Sequence, residues 1–126
     1  MKKLTSELLT EKYTQVFHED EADMQYNAPH LFKVSESQYI GDASEGRDIL
    51  AVIHFQEGPI KECGVNGVCN EDLIAMVICR LQHFQKSEFA CRDNAVAITK
   101  LEEAMMWLHR RTMAREKRGV EGTNKV

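Results

Sequence analysis

The apolar residues of the C-terminal third recur at alternating spacings of three and four positions, which is typical of a long helix with one packed seam. Strong helix formers fill the intervening positions, and neither Gly nor Pro interrupts the stretch from Glu88 to Arg118. Ser87 is the candidate N-cap, and Gly119 can end the helix in the left-handed conformation. The pattern therefore predicts one long helix. Its seam consists of Ile98, Leu101, Met105, Leu108 and Thr112.

A shorter helix is predicted directly upstream of the long one. Asn70 is its candidate N-cap, and Glu71 and Asp72 suit the positive end of its first turn. Only Gln85 to Ser87 separate the two helices, which predicts an antiparallel helical hairpin. The longer helix would keep an uncovered face, which the N-terminal half or another protomer is expected to bury. The seam of the shorter helix is predicted to consist of Ile74, Val77, Leu81 and Phe84.

Two β-strands are predicted ahead of the hairpin. His30 to Val34 and Asp48 to Phe55 are rich in β-branched and aromatic residues, and the second alternates along its length. A two-stranded ribbon is marginal alone, so it must pack on another part of the protein. The predicted fold class is α+β, mainly α, with a long antiparallel helical hairpin preceded by a short β-hairpin and an N-terminal arm. The loop between the strands is marked by Gly41, Asp42, Ser44 and Gly46.

The chain is predicted to form one domain with an arm. Residues 1–28 have a thin apolar pattern and an acidic run, and we interpret them as an arm, helical or mobile. Residues 29–126 form the single domain. Its parts are the β-hairpin at 30–55, a glycine-rich loop at 56–69, the helical hairpin at 70–118 and a tail at 119–126.

The glycine-rich loop has two interpretations. Gly64 and Asn66-Gly67 are expected to supply positive-φ turns, which makes the loop a structural connection. A glycine-rich loop that leads into a helix can also offer backbone amides to a phosphate. The G-K-[ST] ending of a Walker motif is absent, and the structural turn is favoured.

Composition argues against several classes of protein. No apolar run approaches the ~18 residues of a transmembrane helix, and the N-terminus lacks the apolar region of a secretory signal. The protein is therefore expected to be intracellular. The cysteines form no C-x-x-C pair, and two lie inside predicted helices, which favours reduced thiols and no metal site. They are Cys63, Cys69, Cys79 and Cys91.

Neither the histidines nor the carboxylates form a recognisable catalytic motif. Glu102 and Glu103 diverge by about 100° around a helix, so they do not make the shared carboxylate face of a magnesium-dependent hydrolase. We expect a non-enzymatic protein without cofactors, with a small nucleotide hydrolase as the weaker alternative. The end of the long helix is basic although the net charge is −4. These cations either complement the helix terminus or form an anion site.

Trp107 lies almost opposite the apolar seam, so it cannot join the hairpin core. A lone large aromatic on such a face indicates an oligomer interface. Because Lys100, Arg110 and Arg111 flank it, the indole could instead stack on a base or ring. Both roles are compatible with a ligand bound between protomers.

The long helix resembles a known family at Arg92, at Thr99-x-Leu101 and at Met106-x-Leu108-x-Arg110. It is similar to the phage anti-CBASS and anti-Thoeris helical-hairpin family of nucleotide-sequestering sponge proteins. That resemblance, over roughly residues 70–118, implies a homo-oligomer, from dimer to hexamer, in the host cytoplasm. It implies that a cyclic oligonucleotide or cyclic ADP-ribose isomer binds between protomers. Asp93-Asn94 departs from the pattern, since short members tend to have an aromatic there.

The leading hypothesis is a phage-type binding protein that sequesters a cyclic nucleotide immune messenger, with neither membrane nor nucleic acid as a partner. The alternative is an interaction module that binds and inhibits a host protein. Arginines are expected to meet phosphates, aromatics to stack, and Asn66 and Thr99 to form hydrogen bonds. The candidate ligand-binding residues are Asn66, Phe89, Arg92, Thr99, Lys100, Trp107, Arg110, Arg111 and Arg115.

Overall fold

The computed structural model describes residues 1–37 and 48–126. The loop expected around Gly41 to Gly46 lies outside the described residues. The chain divides into two compact units, which we describe separately. The first comprises Met1–Gly58 and Cys63–Gly67, and the second comprises Pro59–Glu62 and Val68–Val126.

The described residues of the first unit form an antiparallel sheet of four strands in sequence order. The β-hairpin expected from the sequence is confirmed, since β3 and β4 pair with Phe32 opposite Ile53. A β-bulge on β4 shifts the register between Val34 and Ser35. The strands are β1 (Lys2–Lys3), β2 (Thr14–His18), β3 (Leu31–Glu36) and β4 (Ile49–His54).

Residues 1–28 are not the separate arm that the sequence suggested. They contain β1 and β2, and β2 pairs with β3 so that Val16 lies opposite Val34. A short 3-10 turn, Glu21–Asp23, falls within the acidic run. The sequence did not predict β2 because its only apolar residues, Val16 and Phe17, are adjacent and show no alternating pattern. Pairing with β3, rather than local periodicity, defines this strand.

Polar rather than apolar side chains are buried in this sheet. Within residues 1–37 and 48–126 no hydrophobic side chain is buried. His30 is buried, its ring Nε2 lies 2.7 Å from the Gln25 carbonyl, and its backbone N–H donates to Glu19 Oε1 at 2.6 Å. Phe32 and Phe55 pack edge to face with centroids 5.4 Å apart. The apolar residues of the sheet therefore remain partly exposed.

The expected glycine-rich loop at 56–69 contains a short helix, α1 (Ile60–Cys63). Gly64 has the expected positive φ of 73°. Gly67 is not at positive φ, so that expectation was wrong. Its lack of a side chain is required for another reason, since a Cβ would lie 2.5 Å from backbone atoms of Phe55. Close approach of two backbone segments explains this glycine.

The second unit contains the predicted helical hairpin, α2 (Asn70–Gln85) and α3 (Arg92–Lys117). The long helix begins at Arg92 rather than Glu88. Ser87 does not cap it, because its hydroxyl donates to the Phe84 carbonyl at 2.6 Å and thus closes α2. The helix ends as predicted, with Gly119 at a φ of 73°. The connection between the helices is therefore longer than expected.

The seam predicted for the long helix is confirmed, since all five of its residues are half-buried. The seam predicted for α2 was wrong at two positions. Val77 and Phe84 are exposed, whereas Ile78 and Gln85 are half-buried. The four-three-four spacing of residues 74, 78, 81 and 85 therefore replaces the expected three-four-three spacing. The Gln85 side chain also bonds both backbone groups of Cys91, at 2.9 and 3.0 Å, which ties α2 to the start of α3.

Candidate anion-binding surface

A row of three arginines lies along the last turns of α3. Arg111, Arg115 and Arg118 follow spacings of four and three residues, which places them on one face of the helix. Across the described part of the chain, none of the three forms a salt bridge. Like charges at this spacing repel by about 0.2–0.5 kcal/mol per pair. An anion bound along the row would relieve this repulsion.

Arg115 is the most constrained member of the arginine row. Its Nη2 donates to the carbonyl of Val120 at 3.1 Å and to the carbonyl of Thr123 at 3.0 Å. Arg118 donates from Nη2 to the Val126 carbonyl. Arg111 is exposed and has no recorded hydrogen bond within residues 1–37 and 48–126. The row thus combines one free arginine with two that contact the C-terminal tail.

The exposed indole of Trp107 lies next to this row. Trp107 is 66% exposed and Met106 is 67% exposed. The guanidinium carbon of Arg110 lies 5.1 Å from the centre of the indole, a cation–π distance. Together with Glu103 these side chains line an open pocket of about 320 Å³. The surface offers an aromatic plane bordered by positive charge.

Two candidate residues further up the helix already have partners. Lys100 pairs with Glu103 at 3.6 Å on the exposed surface. The hydroxyl of Thr99 donates to the Ala95 carbonyl at 3.2 Å, so its oxygen can still accept a hydrogen bond. Arg92 is the first residue of α3 and is exposed. All three residues lie in the first half of α3, away from the arginine row.

The remaining candidates are Phe89 and Asn66. Phe89 is 66% exposed in the connection between α2 and α3. Asn66 belongs to the first unit, where its side chain accepts from the Glu57 N–H at 2.8 Å and donates to the Glu57 carbonyl at 2.7 Å. These bonds serve the turn itself, in agreement with the structural interpretation of the loop.

The candidate ligand-binding residues on α3 do not all lie close together within one chain. Arg92 and Arg115 are separated by about 35 Å along the axis at ~1.5 Å per residue. Only Trp107, Arg110, Arg111 and Arg115 share one end of the helix. Arg118 was absent from our candidates although it completes the row. Its spacing from Arg111 and Arg115 was visible in the sequence and could have identified it.

No metal centre is found in the part of the chain that the structure describes. The four cysteines are exposed and unpaired. Burial, then the carboxylates of Asp72 and Glu71, raise the pKa of the Cys69 thiol, which disfavours its reactive thiolate. Asp72 also accepts the Cys69 N–H at 2.8 Å and so completes the first turn of α2. Within the described residues, no helix is both long and apolar enough to cross a membrane.

The fold and this surface together define an α+β protein whose helical hairpin displays an aromatic and cationic face. The Acb2/Tad1 hairpin-domain model matches residues 47–113, which is more than half of the chain. The chain therefore belongs to the Acb2/Tad1 hairpin family, as the resemblance of α3 suggested. It is 52% identical over 140 residues to a protein called Thoeris anti-defense 1 from Bacillus phage SBSphiJ7. That similarity covers 98% of this chain and 99% of the relative.

Proposed function

We propose that this chain is a phage anti-defence protein that counteracts Thoeris by sequestering a nucleotide messenger without chemically changing it. The relative from Bacillus phage SBSphiJ7 carries the name Thoeris anti-defense 1, and its similarity extends over nearly the whole of both chains. The ligand class is a cyclic oligonucleotide or a cyclic ADP-ribose isomer. Each offers phosphates for arginine and a base for stacking.

The arginine row beside Trp107 carries this proposal. Arg111 has no hydrogen bond or ion pair with the residues that the structure describes, and arginine presents paired N–H groups that suit a phosphate. Trp107 supplies an exposed ring on which a base can stack. An ordinary solvated helix end would also be basic, but it would not need an exposed tryptophan bordered by arginine. This juxtaposition favours a nucleotide over a simple inorganic anion.

Energetics supports a site between protomers. Nanomolar affinity requires about −12 kcal/mol. A stacked base contributes ~1–3 kcal/mol, each charge-assisted hydrogen bond ~1.5–3 kcal/mol, and association costs several kcal/mol. The contacts that one exposed helix face can make are too few to reach this binding free energy. A second protomer would enclose the ligand and bring its own Arg92 or Phe89 to the partner's arginine row.

Exposed apolar residues support the assembly. Besides Met106 and Trp107, Met113 of α3 is 54% exposed. A chain of this length normally buries roughly two-thirds of its unfolded surface, yet no hydrophobic side chain is buried among the described residues. Association of identical chains would cover the apolar face of α3. We therefore propose a homo-oligomer.

The same exposed face favours a second candidate function. A partner protein of the host could cover Met106, Trp107 and Met113, in which case the protein would act as an inhibitor of that partner. In this alternative, Arg111 is not needed to bind a phosphate. Nucleotide binding therefore distinguishes the two functions.

Isothermal titration calorimetry with cyclic dinucleotides and cyclic ADP-ribose isomers tests the proposal. We expect at least one of them to bind below micromolar concentration and Arg111→Ala to weaken binding about tenfold or more, roughly 1.4 kcal/mol. Lys117→Ala is the matched control, because it removes a cation from the same helix end but a different face. Absence of any binding below micromolar concentration would favour the protein-inhibitor function. Unchanged ligand after incubation would agree with a role in binding rather than hydrolysis.

A further inference from the structure

The segment that follows α3 folds back on the helix as a hook, which we define as residues 119–123. Its first residue, Gly119, is left-handed, and the Val120 N–H donates to the Arg115 carbonyl at 3.0 Å. The hydroxyl and N–H of Thr123 both donate to the Val120 carbonyl, at 2.5 and 3.1 Å. These bonds close a compact turn against the end of the helix.

The hook is also attached to α1. The Lys61 N–H donates to the Gly122 carbonyl at 2.9 Å, and the Lys61 ammonium lies 4.0 Å from the Glu121 carboxylate. Gly122 has a φ of 72°, and a Cβ there would lie 2.9 Å from the Lys61 side chain. A β-branched residue at position 122 would therefore be strained in its backbone and crowded by its neighbour.

The hook accepts two hydrogen bonds from one nitrogen, Nη2, of the Arg115 guanidinium. Both N–H groups of Nη2 are used, one on the Val120 carbonyl and one on the Thr123 carbonyl. The N–H groups of Nε and Nη1 have no recorded partner within residues 1–37 and 48–126. A guanidinium held through Nη2 is fixed in orientation, and its Nη1 N–H groups stay available to donate single hydrogen bonds to a phosphate. The Arg111 guanidinium, one turn earlier, has no comparable hydrogen bond to any part of the chain that the structure describes.

We propose that the hook is a positioning device, which orients Arg115 before ligand binding so that its free Nη1 N–H groups face the anion. This inference rests on the proposed function. The carbonyls of Val120 and Thr123 contact the arginine, whereas Gly122 and the Thr123 hydroxyl keep those carbonyls in place. Because a preorganised side chain loses less conformational freedom on binding, disruption of the hook weakens binding without removal of any ligand contact.

The test combines guanidinium NMR of the free protein with titrations of inorganic pyrophosphate and of the nucleotides named above. Thr123→Val removes the hydroxyl that holds the Val120 carbonyl, and Thr123→Ser restores it. Gly122→Val strains the hook. Gly64→Val is its matched control, since Gly64 has a φ of 73° but lies in the first unit, with open space around it.

In the unmodified protein, we expect slowly rotating Arg115 Nη signals before ligand is added and a shift of the Arg115 Nη1 signal with pyrophosphate. Thr123→Val and Gly122→Val should lose the slow Nη signals. They should also weaken anion binding about fivefold or more, because Arg115 is no longer preorganised. Thr123→Ser and Gly64→Val should retain both properties.

Two results separate this inference from the proposed function. If hook variants bind nucleotide as tightly as the unmodified protein, the positioning role is overturned while nucleotide binding stands. If no nucleotide binds but pyrophosphate shifts Arg115 and the hook variants abolish that shift, the positioning role stands and nucleotide sequestration is overturned. Fast-rotating Nη signals in the unmodified protein would also overturn the inference.

Discussion

Substitution of Trp107 tests whether the exposed face of α3 holds protomers together. Trp107 is 66% exposed in the single chain. A tryptophan presents up to about 250 Å², so roughly 165 Å² of it remains available for an interface. At ~25 cal/mol per Å², complete burial of that area would contribute about 4 kcal/mol per protomer.

Trp107→Ala should therefore weaken assembly strongly. Alanine buries part of the same area and neighbouring side chains relax, so we expect a smaller loss than the full value. A loss of at least ~1.4 kcal/mol corresponds to a tenfold higher dissociation constant. Sedimentation velocity over a concentration series measures it, and the unmodified chain should sediment at no less than twice its 14.4 kDa mass. Helicity should be retained, because the seam between α2 and α3 does not include Trp107.

Tyr13→Ala is the matched control for this experiment. Tyr13 is 62% exposed and has the ammonium of Lys12 5.2 Å from its ring centre, so it resembles Trp107 in exposure and in its cation. It belongs to the first unit and should leave assembly unchanged. If Trp107→Ala assembles as tightly as the unmodified protein, or if the unmodified protein is a folded monomer, our reasoning about this face is refuted.

Three further predictions follow from local contacts. Ile78→Ala should lower the free energy of unfolding, measured by urea denaturation, by about 1–2 kcal/mol, because Ile78 is half-buried. Val77→Ala should lower it less, because the Val77 side chain is exposed. Equal losses would contradict the observed seam. Asp72→Asn should speed alkylation of Cys69 at pH 8, because it removes a negative charge that, together with burial, raises the pKa of the thiol. Mass spectrometry measures the rate, and slower alkylation would contradict this effect of the Asp72 charge. Gly67→Ala should lower the melting temperature more than Gly64→Ala, because only at position 67 would a Cβ meet backbone atoms at 2.5 Å.

The helical hairpin was predictable because its pattern is strong and local. The seam of α3 repeats over several turns without Gly or Pro, so periodicity alone identified the buried face. The start of α3 was not predictable in the same way, because Ser87 can serve either the end of α2 or the start of α3. Its hydroxyl bonds the Phe84 carbonyl, a choice that depends on the tertiary path of the connection. Helix boundaries depend on such competing caps.

The sheet and the tail depended on contacts that sequence periodicity does not record. β2 owes its strand conformation to its pairing with β3, so the short run around Val16 looked too weak alone. The role of Gly67 depended on the approach of backbone atoms of Phe55. Arg115 was identified from its charge, but its hydrogen bonds to the hook required the fold of the tail. Long-range contacts therefore account for most of the differences.

Mass spectrometry of the nucleotide released by heat from the protein tests the central claim most directly. The protein is incubated with the panel of cyclic dinucleotides and cyclic ADP-ribose isomers, passed through a desalting column and then denatured. We predict that one nucleotide is released chemically unchanged, in a stoichiometric ratio to protein, and that Arg111→Ala protein releases much less than Lys117→Ala protein. Release of no nucleotide, or of equal amounts from the two variants, would contradict sequestration at the arginine row.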